Sequence, residues 1–386
     1  MKLGIFGGTF DPVHREHLAV ITAAAKASGA DEILLLPAPN PPHKSGHITD
    51  YSVRKKMLSA FVSDAAAAGV KARIDETETE FYPEPSYAYK TLNALRVKYP
   101  SDELIYIIGS DSLFKFDTWK HPELVAAAAP ICVVPRGKAE GVIEKCRELN
   151  AKYPGARFFS TDGATEGISS SGIRFLTETG DAEATRALLT PSVFELIQKE
   201  GLYREYSAIV EKLKSDIPAG LFRHSLNTAE WATEHAWLDG VPFGEAFLAA
   251  LLHDNAKPYS PMYGEENYPL GTARQVTHQY DGAIRAREVY GITDENVLNA
   301  IKYHTTARPD MSGVEKLVYL GDKLEKGRDY PGIDELRAAA AADTDSGMAA
   351  LLGHTVGYLK ERSETPDILT NAAYEWYNSE RRQNGR

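Results

Sequence analysis

Cysteine, long apolar runs and positive charge are what this sequence has least of. Two cysteines, Cys132 and Cys146, among 386 residues exclude a disulfide scaffold and suit a reducing compartment. The longest nearly apolar run, Leu124 to Val134, is eleven residues, Ala-rich and broken by Pro130, whereas a membrane-spanning helix needs roughly 20. The opening MKLGIFGGTFDP has one Lys and reaches glycines and Asp11 after few apolar residues, so it does not read as a signal peptide. Lys and Arg (43) are outnumbered by Asp and Glu (54), leaving a net charge of −11. That balance argues against a nucleic-acid or membrane-surface binder, while local cations and metals can still hold phosphates. What remains is ordinary: 43% hydrophobic and 25% charged residues are globular values. The length corresponds to more than two domains of ~150 residues. The expectation is a cytoplasmic, two-domain enzyme, with a homodimer compatible with the sequence.

The two halves differ in texture. In the first, LGIF at the start, EILLLP at 32–37, LIYIIGS at 104–110, ICVVP at 131–135 and RFFS at 157–160 read as buried strands. Helix-length segments separate them, such as His17 to Ala30 and Tyr87 to Tyr99. Apolar strands alternating with helices predict an α/β doubly wound parallel sheet, Rossmann-like, with ligands at the carboxyl ends of its strands. Pro191 to Glu200, with Pro at the first turn and Gly201 behind it, reads as the last helix of this half. From Ser207 onward the spacing is helical throughout: Ala208–Ser215, Leu221–Leu238, Phe243–Leu252, Gly282–Tyr290, Asn296–Tyr303, Val314–Leu324, Asp334–Ala341 and Gly347–Glu361. The expected domains are 1–203, α/β, and 208–386, all-α, joined without a long linker.

GIFGGTFDPVHREH, residues 4–17, joins the first strand to the first helix. Gly7 and Gly8 permit a sharp turn, and with Thr9 they offer backbone N–H groups to a phosphate. His14 and His17, three apart at a helix start, can share one side. The helix terminus adds partial positive charge there. ISSSGIR at 168–174 opens a second helix with hydroxyls and Arg174. Alone, each piece is a tight turn or a Ser-rich cap. Together they resemble the nucleotidylyltransferase superfamily, with its H-x-G-H and I-S-S-T-x-I-R signatures. PPHK at 41–44, Arg54, Ser86-Tyr87, Gly109-Ser110-Asp111-Ser112, Trp119 and Arg136 follow in order. The set is similar to the bacterial nicotinate-nucleotide adenylyltransferases over about residues 1–203. That resemblance implies transfer of AMP from ATP, with Mg²⁺, to nicotinate mononucleotide. It implies that Gly7, Gly8, Thr9, His14, His17, Lys44, Ser170, Ser171 and Arg174 bind ATP phosphates, with His14 and His17 catalytic. His43, Ser86, Tyr87, Asp111, Trp119 and Arg136 would hold the nicotinate nucleotide. Three positions depart from the pattern: Glu16 for Gly, Ala88 for Thr and Ser171 for Thr. Glu16 puts a carboxylate where the triphosphate is expected, with intrusion on ATP or escape to solvent as its alternatives.

The second half contains His224, His253-Asp254, His278, His304 and Asp322. Four imidazoles and two carboxylates on successive helices can converge in a bundle. There they can hold two divalent metals, whose N/O ligation suits Fe or Mn, with Zn open; such a pair can activate water toward phosphorus. The order H…HD…H…H…D resembles the HD-domain phosphohydrolases. RHSLNTAEWA, ALLHDNAKP and IKYHTTARPDMSGVEKLVYLGDKLEKGR are similar to the bacterial HD-type symmetrical diadenosine-tetraphosphate hydrolases. The resemblance implies cleavage of diadenosine tetraphosphate into two ADP at a di-iron centre, with catalytic Asp254 bridging the metals. Arg223, Lys257 and Arg328 would face phosphate. Three other readings stay open on sequence alone: a nucleotide-sensing first half, a phosphopantetheine adenylyltransferase, or an HD half acting on other nucleotides.

Overall fold

The computed structural model describes residues 1–40, 48–137, 140–269 and 272–379. The chain divides into two compact units, the first ending at Tyr203 and the second taking the chain from Arg204 together with the short segment Glu178–Gly180. Among the described residues the first unit contains six strands: β1 Lys2–Gly8, β2 Glu32–Pro37, β3 Ala72–Ile74, β4 Glu103–Gly109, β5 Ile131–Val134 and β6 Phe158–Ser160. They form one parallel sheet in the order β3-β2-β1-β4-β5-β6. Five of the six match apolar runs in the sequence. β3 was not expected from the pattern, because Ala72-Arg73-Ile74 is a three-residue edge strand with a charged centre.

Alternation along the strands builds two cores, one on each face of the sheet. Ile33, Leu35, Ile105, Ile107, Cys132 and Val134 enter one. Leu34, Leu36, Leu104, Ile108, Ile131 and Val133 enter the other. Helices Arg15–Ser28, Tyr51–Ala67 and Pro191–Glu200 supply the first core, and Ala88–Lys98, Pro122–Ala128 and Val142–Lys152 the second. The strand order reverses between β1 and β4, so the loops after these strands flank the switch point where such sheets bind ligands.

The second unit is helical among its described residues. Helix Phe243–Leu252 is apolar nearly throughout, because it lies among helices Ala219–His235, Glu295–Lys302 and Gly313–Leu324. Helix Thr277–Tyr290 begins five residues earlier than its sequence pattern suggests. Its first turns are polar in character yet buried: Thr277, His278, Gln279 and Asp281 are all interior. Apolar periodicity cannot report a buried polar turn. Among the described residues, no helix is long and apolar enough to cross a membrane.

Candidate active sites

The first site lies beyond the carboxyl ends of β1, β4 and β5. A Cβ on Gly8 would come within 3.1 Å of the Phe10 ring, whereas one on Gly7 would touch only the Leu36 carbonyl at 4.0 Å. A side chain at 8 would therefore require the Phe10 ring to give way, whereas one at 7 meets no such crowding. Thr9 offers its carbonyl to Arg54 (2.7 Å), which also donates to the carbonyls of Ala38 (3.0 Å) and Thr49 (2.8 Å). Arg54 is fully buried, so its fork fixes the turn after β1 and the loop after β2 together. The sequence marked Arg54 only as a landmark.

His14 caps helix Arg15–Ser28, and its backbone N–H donates to Nδ1 of His17 at 3.1 Å. The ring centroids lie 3.9 Å apart, with His14 buried and His17 half-buried. Helix Ser170–Glu178 is tied to the same turn. Ser170 Oγ donates to the Pro12 carbonyl (3.0 Å), while Arg174 donates to the Asp11 carbonyl and to Ser171 Oγ (3.0 Å). The structure thus brings His14, His17, Ser170, Ser171 and Arg174 to one end of the sheet.

The remaining first-half candidates flank this turn. Ser86 is buried and its N–H reaches the Asn40 carbonyl at 3.4 Å. Tyr87 caps helix Ala88–Lys98, with Lys120 Nζ 4.7 Å over its ring. Trp119 packs against Phe116 and Tyr106, at 5.2 and 6.3 Å between ring centres, and remains half-exposed. Asp111 is exposed and lies 3.4 Å from Arg136. His43 and Lys44 lie outside the described residues.

Glu16 corrects the sequence reading. Its carboxylate neither intrudes on the turn nor reaches solvent, being 3% exposed. Oε1 accepts from Thr165 Oγ1 (2.5 Å), Gly167 N–H (2.9 Å) and Arg136 Nε (3.4 Å).

The second site is built at the ends of five helices. His224 lies on Ala219–His235, His253 and Asp254 directly follow Phe243–Leu252, and His278 opens Thr277–Tyr290. His304 follows Glu295–Lys302, and Asp322 lies on Gly313–Leu324. All six predicted ligands meet. His224–His253–Asp322 and His253–Asp254–His304 are two triads whose ligand atoms lie within 4.8 Å of one another, sharing His253. His278 Nε2 is 3.5 Å from Asp254 Oδ1. Outer nitrogens are anchored: His253 Nδ1 on the Ala250 carbonyl (2.7 Å), His304 Nδ1 on the Ile301 carbonyl (2.7 Å), and His224 Nδ1 on Glu325 (3.1 Å). Such anchoring turns each Nε2 lone pair inward, as metal ligation requires.

Electrostatics agree with that use. Burial, together with neighbouring His304, pushes His278 down to about 3. Burial also lowers His304. On His253 burial is outweighed by Asp254 and Asp322, which raise it. Burial opposes ionisation of Asp254 and Asp322, but His253 and His304 for the first, and Lys323 and His224 for the second, hold both well below the carboxylate range. Ionised carboxylates beside neutral His278 and His304 are the forms a cation needs. Asp254 Oδ1 is buried and accepts no hydrogen bond; an orphaned acceptor of this kind costs about 1–3 kcal/mol, which a bound divalent ion would relieve. The residues fit a metal.

Cations surround the cluster. Lys257 Nζ lies 2.7 Å from Asp254 Oδ2, and Arg328 donates to Asp322 Oδ1 at 2.8 Å. Arg223 is exposed on the turn before His224. Two partners escaped the sequence reading: Glu325 behind His224, and Thr305, whose hydroxyl lies 3.1 Å from His278 Nε2 and 3.0 Å from His304 Nε2. Glu325 follows Asp322 by three residues, and that spacing was the available signal.

Comparison with known proteins follows the same division. Residues 5–175 match the cytidylyltransferase-like family and residues 221–327 the HD domain family. A probable nicotinate-nucleotide adenylyltransferase/Ap4A hydrolase of Mycoplasma genitalium is 25% identical, over 85% of this chain and 88% of that protein. A probable nicotinate-nucleotide adenylyltransferase of Trichlorobacter lovleyi is 32% identical, over 53% of this chain and 100% of its own length. A symmetrical bis(5'-nucleosyl)-tetraphosphatase of Halalkalibacterium halodurans is 31% identical, over 42% of this chain and 91% of its own.

Proposed function

The chain belongs in its first half to the nicotinate-nucleotide adenylyltransferases and in its second to the symmetrical bis(5'-nucleosyl)-tetraphosphatases, and from that premise we propose how its residues carry both activities. The first half transfers AMP from ATP to nicotinate mononucleotide, giving deamido-NAD and pyrophosphate. The second hydrolyses diadenosine tetraphosphate to two ADP. The observation that carries this reading is that two overlapping triads of candidate ligands, with His278 3.5 Å from Asp254, converge in one unit, while a paired-histidine helix start is knitted to Ser170–Arg174 in the other.

In the first unit the acceptor's phosphate oxygen attacks the α-phosphorus of ATP, and the bond to the β-phosphate breaks. Because His17 Nδ1 accepts from the His14 N–H, the ring proton of neutral His17 resides on Nε2, which donates to a phosphoryl oxygen. His14, Ser170, Ser171, Arg174 and the N–H groups of the Gly7–Thr9 turn hold the triphosphate, which arrives with Mg²⁺, and Lys44 belongs to the same set. Ser86, Tyr87, Asp111 and Arg136 surround the nicotinate nucleotide, with Trp119 as a stacking face, and the family resemblance assigns His43 to the same substrate. Pyrophosphate release assayed with nicotinate, nicotinamide and phosphopantetheine acceptors tests the assignment, with the nicotinate form preferred.

In the second unit His224, His253, Asp254, His278, His304 and Asp322 would hold two divalent ions; their N/O donors suit Fe or Mn with Zn open, and the family resemblance favours iron. When bound, they supply a water of lowered pKa and neutralise charge on phosphate. The chain itself sets the protonation states and anchors the rings, and Arg223, Lys257 and Arg328 draw the polyphosphate in. Lys257→Ala is expected to raise KM for diadenosine tetraphosphate by roughly tenfold, the scale of one lost charge-assisted contact. Metal content measured by elemental analysis should not change, because Lys257 is half-exposed and ligates nothing.

The boundary near Tyr203 carries a further expectation. Each unit has its own core and its own set of candidate residues, so chains cut near Glu205 should give two soluble fragments with undiminished kcat. An insoluble or inactive fragment would show that the units depend on one another.

A further inference from the structure

We infer that Glu16 is a positioning residue that presets the triphosphate-binding segment, an inference that rests on the adenylyltransferase reading above. One buried oxygen of this side chain, at the second position of helix Arg15–Ser28, gathers donors from two other loops: Thr165 Oγ1 at 2.5 Å and Gly167 N–H at 2.9 Å from one, and Arg136 Nε at 3.4 Å from the other. Arg136 closes the circuit by donating to the Ile168 carbonyl at 2.8 Å. The 165–168 segment, whose Gly167 has φ +88°, leads directly into Ser170, Ser171 and Arg174. Among the described residues, the segment is also held by Thr165, which pairs with the chain after β5 through the Pro135 carbonyl and the Gly137 N–H, and by Ile168 packed on the core. Glu16 therefore joins the helix carrying His17 to the helix carrying Ser170 and Arg174. It fixes their separation before ATP arrives, which lowers the ordering cost of binding. A glycine at this position, as the resembled family has, would leave the Gly167 N–H and the Arg136 Nε without their acceptor.

The test is ATP affinity of the full chain, read by calorimetry with an α,β-methylene ATP that cannot react. Glu16→Gly should weaken binding on the order of tenfold, the scale of one or two net hydrogen bonds. Glu16→Gln, whose amide oxygen still accepts from Thr165 and Gly167, should remain within about twofold of the parent. Thr165→Val should weaken binding in the same direction, and combined with Glu16→Gly should add little, since the two changes remove one shared contact. Circular dichroism and thermal melting of residues 1–203 carrying each substitution, beside the full chain, report that the first unit of the variants is folded. Unchanged or tighter binding in Glu16→Gly overturns the inference, as does an equal loss in Glu16→Gln. A loss of thermal stability with affinity unchanged also overturns it, because that is what a purely structural contact would give. If the parent binds the analogue but releases no pyrophosphate from ATP with nicotinate mononucleotide, the adenylyltransferase reading fails, while the affinity series still decides the role of Glu16.

Discussion

Asp254→Ala should abolish hydrolysis of diadenosine tetraphosphate and remove bound metal in the same step. Asp254 is fully buried, and its carboxylate lies 3.3 Å from His304 Nε2, 3.5 Å from His253 and His278, and 4.0 Å from His224. Its Oδ1 faces His278 and His304 and its Oδ2 faces His224 and His253, so its loss breaks the His253–Asp254–His304 triad and takes a carboxylate away from beside the other. Loss of an outer partner of a metal ligand typically costs 10–100-fold; loss of this carboxylate should exceed that, to roughly 10³-fold or more in kcat/KM. Removing the carboxylate also frees Lys257, but that side chain is half-exposed and can hydrate in place, so the fold should survive. Elemental analysis, circular dichroism and chromatography of the products decide the matter together. A folded, metal-free variant without activity is the expected result. Full hydrolysis by that variant, or AMP and ATP as products of the parent, would defeat the proposed chemistry.

That prediction could be written because metal-capable residues announce themselves by type. Four histidines and two aspartates on successive helices are uncommon enough to be read without coordinates, and the structure brings all six together, five in two triads and His278 beside Asp254. What tunes them was not legible. Glu325 and Thr305 are ordinary residue types, and only the packing of helix ends places them against His224, His278 and His304. The fold shows the same split. β2 and β5 could be read because every residue of β5, and all but the first of β2, is buried, so their apolar runs are unbroken. β3 could not, being short and polar at its centre. The start of helix Thr277–Tyr290 was hidden because its interior turns are filled by hydrogen-bonded polar groups, such as Gln279 accepting from Thr305 and Thr306 N–H at 3.2 Å.

Glu16 marks the limit of motif reading. Set against the H-x-G-H signature, its carboxylate reads as an obstacle to a triphosphate. The partners that reverse this reading are Arg136, Thr165 and Gly167, at sequence separations of 120, 149 and 151. No local pattern connects them. A buried charge on a helix first turn is acceptable when donors converge on it and the helix dipole favours it. Both conditions hold here, and neither can be inferred from position 16 alone.

His17→Ala should lower kcat for adenylyl transfer by roughly 10²–10³, the range for losing one preorganised donor to a transition state. The geometry specifies why the loss should fall on kcat. His17 is half-buried at the third position of its helix, its Nδ1 takes the His14 N–H, and its ring lies edge-on to Phe10 with 5.1 Å between centres. That fixed ring can offer only Nε2 to the phosphate, so its donor is aimed before the reaction and costs no reorganisation when charge develops. Ground-state affinity for ATP, by contrast, is spread over Ser170, Ser171, Arg174 and the helix N–H groups, which the substitution leaves in place. The affinity of the α,β-methylene analogue should therefore change by no more than about threefold, well under the ~1.4 kcal/mol that a tenfold change represents. His17→Asn is the informative companion, because an amide retains a donor of shorter reach and should recover part of the rate. Pyrophosphate release at saturating substrates gives kcat, and calorimetry gives the affinity. A tenfold or greater loss of affinity with kcat unchanged would make His17 a binding group only. Equal rates in parent and His17→Ala would remove it from the chemistry altogether, leaving His14 and Arg174 as the donors to test next.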